Sequence, residues 1–301
     1  MARHAYAALV AVQVFYGMLP AAGKTVFLDL HPVQMTALRV LGAAVILIAW
    51  HLARGGQWPE ARLWPGVARL ALFGIVVNMG LFAIGLQWTH PVNATLIITT
   101  IPVITYLMAV FMGRETLGPR RLLGILLALS GAVYLIGLSG FETSGKSALG
   151  DLFVLINAFS FSYFLVISKP WAEEHGVMRL NVWMFAAAAM LFLPVALWLD
   201  APADLLVAST ATQRWMVFIV AAPTVGAYVL NATALRAVSS STVAAFIYLQ
   251  PPISALASWV VLDTLPDWRI IPAAVLILAG VTIVARRQAK REEEKKEAAA
   301  A

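Results

Sequence analysis

Residues 98–107 read ITTIPVITYL and place a proline in the middle of an apolar run. The run extends over residues 92–112, which is about the 20 residues that an α-helix needs to cross the hydrocarbon core of a bilayer. Proline has no amide hydrogen and leaves the carbonyl four residues earlier without its helical partner. Pro102 therefore predicts a membrane helix that is interrupted near its middle, with a free carbonyl at Ile98.

A second segment of the same kind follows in the C-terminal half of the chain. Residues 247–256 read IYLQPPISAL, and a shift of 149 positions places Pro102 on Pro251. The same shift places Gly131 on Gly280. A pair of proline-interrupted membrane helices at matching places in two halves is a pointer to a binding site between them.

Ten apolar runs of membrane-spanning length account for almost the whole chain. They cover residues 4–23, 33–53, 66–86, 92–112, 120–138, 148–168, 180–199, 214–235, 240–261 and 269–286. A water-soluble core cannot bury ten helices that are apolar on every side, and in lipid each helix satisfies its own backbone hydrogen bonds. The pattern predicts an all-α polytopic membrane protein with ten transmembrane helices.

The composition favours the same class. Of the 301 residues, 61% are hydrophobic and 12% are charged, whereas a soluble domain carries about 25% charged residues. The net charge of +6 comes from basic residues that are scattered between apolar runs and gathered at the C-terminus, which favours a lipid bilayer over nucleic acid as the partner. The sequence has no cysteine, which excludes disulfides, thiolate metal sites and cysteine nucleophiles.

The distribution of basic residues predicts the orientation. If the ten runs cross the membrane in turn, 16 of the 21 Lys and Arg residues lie on the side that holds both termini, and four lie on the other side. Basic residues concentrate on the cytoplasmic side of membrane proteins. Both termini are therefore expected in the cytoplasm, with the protein integral to a bacterial inner (plasma) membrane.

The ten runs divide into two halves of five, over residues 1–138 and 148–286, joined by a loop at 139–147 and followed by a charged cytoplasmic tail at 287–301. Because five is odd, the second half enters the membrane from the side opposite to the first. The expected architecture is two inverted five-helix repeats. Such repeats enclose a site near the bilayer midplane and open it to either side in turn.

The segment from Gly140 to Ser147, GFETSGKS, matches the nucleotide-binding pattern G-x-x-x-x-G-K-[ST]. A phosphate-binding loop joins a buried parallel strand to a helix N-terminus, whereas this segment joins two apolar runs. We expect no nucleotide there. The sequence also lacks the metalloprotease pattern H-E-x-x-H and the nucleophile pattern G-x-S-x-G, so no cofactor, metal ion or enzymatic activity is expected.

Polar side chains inside the runs are candidates for contact with a solute, because polar groups in hydrocarbon face the bundle interior or a wet cavity. With the two prolines they form an uncharged set: Gln13, Tyr16, Asn78, Thr95, Thr99, Pro102, Tyr106, Asn157, Tyr163, Tyr228, Asn231, Tyr248, Gln250 and Pro251. Taken singly, each polar side chain is also explained by an interhelical hydrogen bond. No Asp or Glu lies in the middle of a run, so no carboxylate is available there for proton coupling.

Arg39 is the one charged residue clearly inside a run. It lies about 9 Å from the outer end of the second run at 1.5 Å per residue, close to the reach of a snorkelling side chain. Two interpretations stay open. Arg39 anchors or pairs helices, through Asp29 or through freed carbonyls, or it acts in gating or attracts an anionic group such as a carboxylate.

The closing segments of the two halves, residues 100–136 and 249–284, each combine a central proline, an acidic turn at Glu115 or Asp263 and a glycine-bearing final helix. With ten runs over residues 4–286, the chain resembles the EamA-type family of the drug/metabolite transporter superfamily. The resemblance implies a bundle of ten helices around a central cavity. It also implies movement of small organic metabolites, often outward. The leading hypothesis is a secondary transporter that exports small organic solutes such as amino acids or amphipathic compounds.

A channel-like facilitator, or a membrane scaffold without active transport, is the alternative to a transporter. The expected partners are a small-molecule solute and the lipid bilayer. The sequence leaves the substrate, the coupling ion and the oligomeric state undetermined, and a monomer is compatible with these features.

Overall fold

The computed structural model describes residues 2–89, 91–136, 145–263 and 268–300. Within these ranges the regular secondary structure is helical, without β-strands. In chain order the α-helices are α1 (Ala2–Val26), α2 (Pro32–Ala53), α3 (Trp64–Ala71), α4 (Val77–Trp88), α5 (Pro91–Ile98), α6 (Ile101–Phe111), α7 (Pro119–Ile136), α8 (Gly145–His175), α9 (Val177–Trp198), α10 (Ala201–Val207), α11 (Thr210–Val220), α12 (Ala227–Leu235), α13 (Ser240–Ala245), α14 (Gln250–Leu262) and α15 (Ile270–Ala300).

Several helices begin at capping residues. His31 caps α2, because its Nδ1 atom accepts from the Val33 amide at 3.4 Å while the Gln34 side chain accepts from the His31 amide at 2.7 Å. The hydroxyls of Ser209 and Ser239 cap α11 and α13. These side chains satisfy amide groups that the first turn of a helix leaves without a partner, and so fix where these helices begin.

Eight helical segments within the described residues are long and apolar enough to cross a membrane. They are His4–Val26, Pro32–Ala53, Ala61–Trp88, Asn93–Phe111, Ser147–His175, Val177–Trp198, Thr210–Leu235 and Ser240–Val261. They correspond to eight of the ten predicted runs. The other two predicted runs fall on α7, which has 18 residues, and on the shorter apolar stretch Ile270–Ala285 of α15.

The outward surface of these segments is apolar. Between 39% and 56% of the residues in the most apolar part of each segment are buried, and the remainder includes Val45, Met190 and Val217, which are 68%, 70% and 70% exposed. Helices that satisfy their own backbone hydrogen bonds and present apolar side chains outward suit lipid rather than water. The prediction of an all-α membrane protein is therefore supported.

Two membrane-length segments are interrupted where the prolines predict. The fourth run breaks at Thr99 and Thr100, between α5 and α6, and Pro102 lies in the first turn of α6. In the ninth run, α13 passes into a 3-10 turn at Phe246–Leu249, directly before the start of α14, where Pro251 lies in the first turn. Both predicted interruptions are present.

Two further irregularities were not predicted. A π-helical turn at Leu72–Val76 joins α3 to α4, and another at Ala221–Gly226 joins α11 to α12. They begin 149 residues apart, which is the shift that relates the two prolines. A π turn disturbs the regular pattern of helical hydrogen bonds and is often found at functional sites.

The contact between α7 and α15 is the most extensive between any two described helices. A Cβ atom built on Gly124 would lie 2.9 Å from the Gly280 carbonyl oxygen, and one built on Gly131 would lie 2.9 Å from the Ala273 carbonyl oxygen. Small residues let membrane helices approach this closely. The later residue on α7, Gly131, contacts the earlier residue on α15, Ala273, so the two helices are antiparallel.

Helices α2 and α9 are also antiparallel. Gln34, near the start of α2, donates to the Leu199 carbonyl after α9 at 2.7 Å. Trp183, near the start of α9, donates to the Gln57 carbonyl after α2 at 3.2 Å. Elsewhere α1 packs against α14, α11 and α12, while α8 packs against α6, α4 and α5. One hydrophobic cluster extends through helices of both halves.

Candidate functional site

The π turn between α3 and α4 supplies two backbone acceptors inside the bundle. The Gly74 carbonyl accepts hydrogen bonds from the Tyr228 hydroxyl at 2.5 Å and from the Asn78 side chain at 3.2 Å. The Phe73 carbonyl accepts from the Ser160 hydroxyl of α8 at 2.7 Å. Candidate residues Asn78 and Tyr228, which are far apart in the sequence, therefore meet at one turn.

The π turn between α11 and α12 is engaged by Arg39 of α2. Arg39 Nε donates to Thr224 Oγ1 at 2.9 Å, and Nη2 donates to the Pro223 carbonyl at 3.4 Å. The Thr224 hydroxyl in turn donates to the Ile219 carbonyl at 2.7 Å. Arg39 is 6% exposed, so its side chain is enclosed in the bundle and pairs with a carbonyl of the irregular turn.

Asp29, the other partner considered for Arg39, is engaged elsewhere. Its carboxylate accepts from the hydroxyl and the amide of Ser209, at 2.6 and 3.0 Å. Hydrogen bonds from Ser209 and Thr212 hold the pKa of Asp29 below its usual value. Asp29 thus links the loop after α1 to the start of α11.

Five candidates lie along the contact of α1 with the segment around α14. Gln250 Nε2 donates to Gln13 Oε1 at 2.8 Å, and Pro251 follows in the first turn of α14. Tyr16, one turn beyond Gln13 on α1, is half-buried. Tyr248 is fully buried, and its hydroxyl has no hydrogen-bond partner among the described residues.

Asn78 and Asn157 form an interhelical hydrogen bond between α4 and α8. The Asn157 side chain donates to Oδ1 of Asn78 at 2.6 Å and to its carbonyl at 2.5 Å. Tyr163, further along α8, packs edge-on against Phe73 with the ring centroids 4.9 Å apart. These residues hold α8 against the first π turn.

A narrow crevice between α8, α9 and α12 is lined by the candidates Tyr228 and Asn231. Phe161 and Phe164 supply aromatic surface on the α8 side. Asn231 Oδ1 and Ser168 Oγ, both at this crevice, are buried atoms without a hydrogen-bond partner within the described residues. The crevice therefore combines apolar surface with unused hydrogen-bonding capacity.

The candidates of the fourth run divide into two groups. Thr95, Thr99 and Pro102 surround the break between α5 and α6, and the Thr99 hydroxyl donates to the Leu96 carbonyl of α5 at 2.6 Å. Tyr106 lies nearer the end of α6, where its hydroxyl accepts from the Gly118 amide at 2.7 Å. Tyr106 is thus held by the turn after α6 and lies apart from the break.

Two acidic residues outside the predicted set reach helix starts in the other half of the chain. Glu115, after α6, accepts from the amide and hydroxyl of Ser241 at 3.1 and 2.6 Å, and pairs with Arg121. Asp151 of α8 accepts from the Asn93 side chain, near the start of α5, at 2.9 Å. Each carboxylate follows the preference for negative charge at a helix N-terminus, but its partner is too distant in the sequence to be predicted.

A larger cleft of about 350 Å³ lies where the loop after α2 meets the end of α8 and the start of α9. Its lining includes Trp58, Trp183 and Arg179, together with Glu60 and Arg62, which form an exposed ion pair at 2.7 Å. This charged lining distinguishes the cleft from the uncharged residues around the π turns.

The nucleotide-like motif falls mostly outside the described residues, since 140–144 are not among them and Gly145 begins α8. The expected absence of nucleotide binding stays a prediction. Across the described ranges, no group of three or more His, Asp or Glu side chains is placed to hold a metal ion.

Comparison with known proteins identifies the family. The sequence profile of the EamA-like transporter family matches residues 4–137 and again residues 148–286. An uncharacterized transporter of Archaeoglobus fulgidus is 26% identical over 271 residues, which cover 88% of this chain and 93% of that protein. The uncharacterized transporter YyaM of Bacillus subtilis is 22% identical over 283 residues, covering 92% of each chain.

A solved crystal structure has the same fold. It aligns with a TM-score of 0.78 at 20% sequence identity, covering 96% of this chain and 98% of its own. The membrane-length helices, the transporter relatives and the two profile matches agree with one another. The chain is an integral membrane protein that belongs to the EamA-like transporter family.

Proposed function

We propose that this protein is a secondary transporter that exports small organic metabolites, such as amino acids or amphipathic compounds, by alternating access around a central cavity. Its family and the names of its relatives are those of transporters. In transporters with inverted repeats, two equivalent halves of opposite polarity exchange conformations around one site.

The observation that carries the proposal is the reciprocal contact between α7 and α15. The shift of 149 relates Gly131 to Gly280 and Gly124 to Ala273. Gly124 contacts Gly280, and Gly131 contacts Ala273. If each residue is replaced by its counterpart in the other half, the first contact becomes the second. Reciprocal contacts of this kind are expected about a two-fold axis. Because α7 and α15 are antiparallel, the contacts support units of opposite polarity.

The irregular segments support the same relation. The π turns begin 149 residues apart, and the break after α5 corresponds to the 3-10 turn after α13. Contacts of α1 with α14 and α12 correspond to contacts of α8 with α6 and α4. We therefore propose ten transmembrane helices in two inverted repeats, with α7 as the fifth and α15 as the tenth.

The proposed units are residues 1–138 and 148–286, with a connecting loop at 139–147 and a tail at 287–301. The two profile matches support this division, because each falls within one unit. We place both termini in the cytoplasm on the distribution of Lys and Arg. A bacterial inner membrane is proposed as the location; a relative in Escherichia coli, 27% identical over 165 residues, is named an inner membrane transporter.

In this proposal the solute binds between the two π turns and the two helix breaks, in contact with the uncharged residues predicted from the sequence other than Tyr106. Each π turn is held by a side chain of the other half: Tyr228 bonds to Gly74, and Arg39 bonds to Pro223. A change in the relative orientation of the halves has to alter these hydrogen bonds. They are therefore proposed to couple the central site to the exchange of conformations.

Counterflow in proteoliposomes tests the proposal. The purified protein is reconstituted, loaded with an unlabelled metabolite and exposed to the labelled compound, across a panel of amino acids and amphipathic acids. A transporter accelerates saturable uptake against the unlabelled pool, a channel gives flux that does not saturate, and a scaffold gives none. Absence of saturable exchange for the whole panel would refute the proposal.

A matched pair of variants addresses the mechanism. Tyr228→Phe removes the hydroxyl that donates to the first π turn and is expected to change the exchange rate. Tyr134→Phe makes the same chemical change on α7, where the side chain is 42% exposed, and is expected to leave exchange unchanged. Equal rates in the two variants would argue against a role for the Tyr228 hydrogen bond.

A further inference from the structure

Arg39 is a buried cation that has no carboxylate partner among the residues that the structure describes. It is 6% exposed, and its two hydrogen bonds go to neutral acceptors, the Thr224 hydroxyl and the Pro223 carbonyl. Within the described part of the chain, its guanidinium forms no ion pair with a carboxylate. Buried charges in proteins are ordinarily paired, so this site lacks an anion.

Two carboxylates, Asp29 after α1 and Asp204 beside the start of α2, do not supply that anion. Asp29 binds Ser209, and Asp204 accepts from Gln34 at 2.5 Å. Both carboxylates are used to join loops. Neither of these carboxylates is left for Arg39, so we look to a bound solute as the source of the anion.

The guanidinium keeps donors for such an anion. Nε and Nη2 already donate to Thr224 and Pro223. Nη1 forms no hydrogen bond with the described residues, and it is not fully enclosed by protein atoms. Tyr16 lies on α1, which packs against Ala221–Gly226, the π turn that Arg39 engages. The ring of its neighbour Phe15 is 3.3 Å from where a Cβ atom on Gly226 would lie. Tyr228 follows the same turn on α12. The Tyr16 hydroxyl makes no hydrogen bond within the described ranges, so it is a second available donor.

One positive charge and a phenol hydroxyl suit a single carboxylate, which accepts two hydrogen bonds through its two oxygens. The surroundings of Tyr228 suit an apolar body, since its ring packs edge-on against Phe185 at 5.1 Å and lies 6.1 Å from the ring of Phe164. We infer that Arg39 and Tyr16 bind the carboxylate of the transported solute, an organic acid with an apolar body. This inference rests on the proposed transport function.

Matched acid and amide pairs test the inference, because they differ in charge at nearly constant shape. The probes are phenylacetate and phenylacetamide, hexanoate and hexanamide, and L-leucine and L-leucinamide. Each is titrated by calorimetry into the purified full-length protein in lipid nanodiscs at neutral pH. At least one acid is expected to bind about tenfold or more tightly than its amide, which corresponds to one hydrogen bond to a charged group.

Two variants locate the preference. Arg39→Gln is expected to reduce the ratio of acid to amide affinity to about twofold or less, since it removes the charge that only the acid requires. Tyr16→Phe keeps the ring and removes one donor, so the acid is expected to bind about threefold or more weakly, and the amide to lose less, because its oxygen is a weaker acceptor than a carboxylate. Lys24→Gln is the control, because Lys24 is an exposed cation at the end of α1 and its loss is expected to leave the ratio unchanged.

The outcomes are decisive in both directions. The inference is overturned if no acid binds more tightly than its amide, or if the ratio persists in Arg39→Gln. Should Arg39→Gln fail to fold, Tyr16→Phe decides, and an unchanged acid affinity in that variant overturns the inference. A purely structural Arg39 predicts lower thermal stability of Arg39→Gln with an unaltered ratio.

Counterflow of the same probes separates this inference from the transport proposal. An acid preference in binding without counterflow would leave the anion site standing and contradict transport. If acids and amides exchange at equal rates in counterflow and also bind with equal affinities, the transport proposal is supported and the anion site is contradicted.

Discussion

Replacing Glu115 with alanine is expected to destabilise the folded protein by about 3 kcal/mol. Glu115 lies after α6 in the first half and accepts two hydrogen bonds from Ser241, near the start of α13 in the second half. It also pairs with Arg121 at the start of α7. The carboxylate therefore joins three helices that belong to different parts of the bundle.

The magnitude follows from the burial of the pair. The side chains of Arg121 and Glu115 are 3% and 7% exposed, so alanine at 115 leaves a buried guanidinium without its carboxylate. Removing one partner of a buried ion pair costs about 3–5 kcal/mol. The lower end applies because the pair lies at helix ends, where water can enter the truncated site. Combining Glu115→Ala with Arg121→Met removes the uncompensated charge and should recover part of the loss.

Unfolding in mixed detergent micelles, followed by tryptophan fluorescence, measures these differences. Glu60→Ala is the matched control, because it breaks an ion pair with Arg62 whose side chains are 69% and 78% exposed, and a change below about 1 kcal/mol is expected. Equal losses for Glu115→Ala and Glu60→Ala would refute the reasoning. So would a double variant of Glu115 and Arg121 that is no more stable than Glu115→Ala alone.

Three further predictions concern the packing and the loops. Gly280→Ala places a Cβ atom 2.5 Å from a backbone oxygen of α7 and should lower the stability in the same assay by about 1–3 kcal/mol. Gly145→Ala is the control and should leave the stability unchanged, because a Cβ atom at Gly145 would have no other atom within 4 Å. Equal effects of the two substitutions would contradict the close approach of α7 and α15. Asn157→Ala should cost about 0.6–2 kcal/mol, the range for interhelical hydrogen bonds in membranes, and no measurable loss would contradict its assignment as a structural contact. The lowered pKa of Asp29 means that the unfolded state binds its proton more readily, so its stabilising effect is present above a pH of about 4 and is lost as the pH falls towards the lowered value. Ser209→Ala should therefore cost more stability at neutral pH than in acid, where only the loss of the α11 cap remains, and a difference that is independent of pH would contradict the assignment.

The helical class and the two interrupted helices could be predicted because their signals are local. Apolar runs of membrane length fix the class, and a proline removes a helical hydrogen bond wherever it lies. The breaks near Pro102 and Pro251 accordingly occur where the sequence places them. The repeat at a shift of 149 was also visible, because glycine and proline positions recur.

The π turns could not be predicted, because no residue type marks them; their sequences are LFGIV and AAPTVG. Their partners Tyr228 and Arg39 come from the opposite half, so pairing depends on the assembled bundle. The same reason explains Glu115, whose partner Ser241 is 126 residues away. It also explains Tyr106, which reads as a mid-membrane polar residue in the sequence but bonds to the turn after its own helix.

The opposed orientation of the two halves is tested most directly by labelling single cysteines, since the sequence has none of its own. Gln57, after α2, and Leu206, in α10, are both exposed and are related by the shift of 149. With a membrane-impermeant maleimide, Gln57→Cys is expected to react only in inside-out vesicles and Leu206→Cys only in intact cells. Reaction of both cysteines from the same side would contradict the inverted repeat and the transport mechanism built on it.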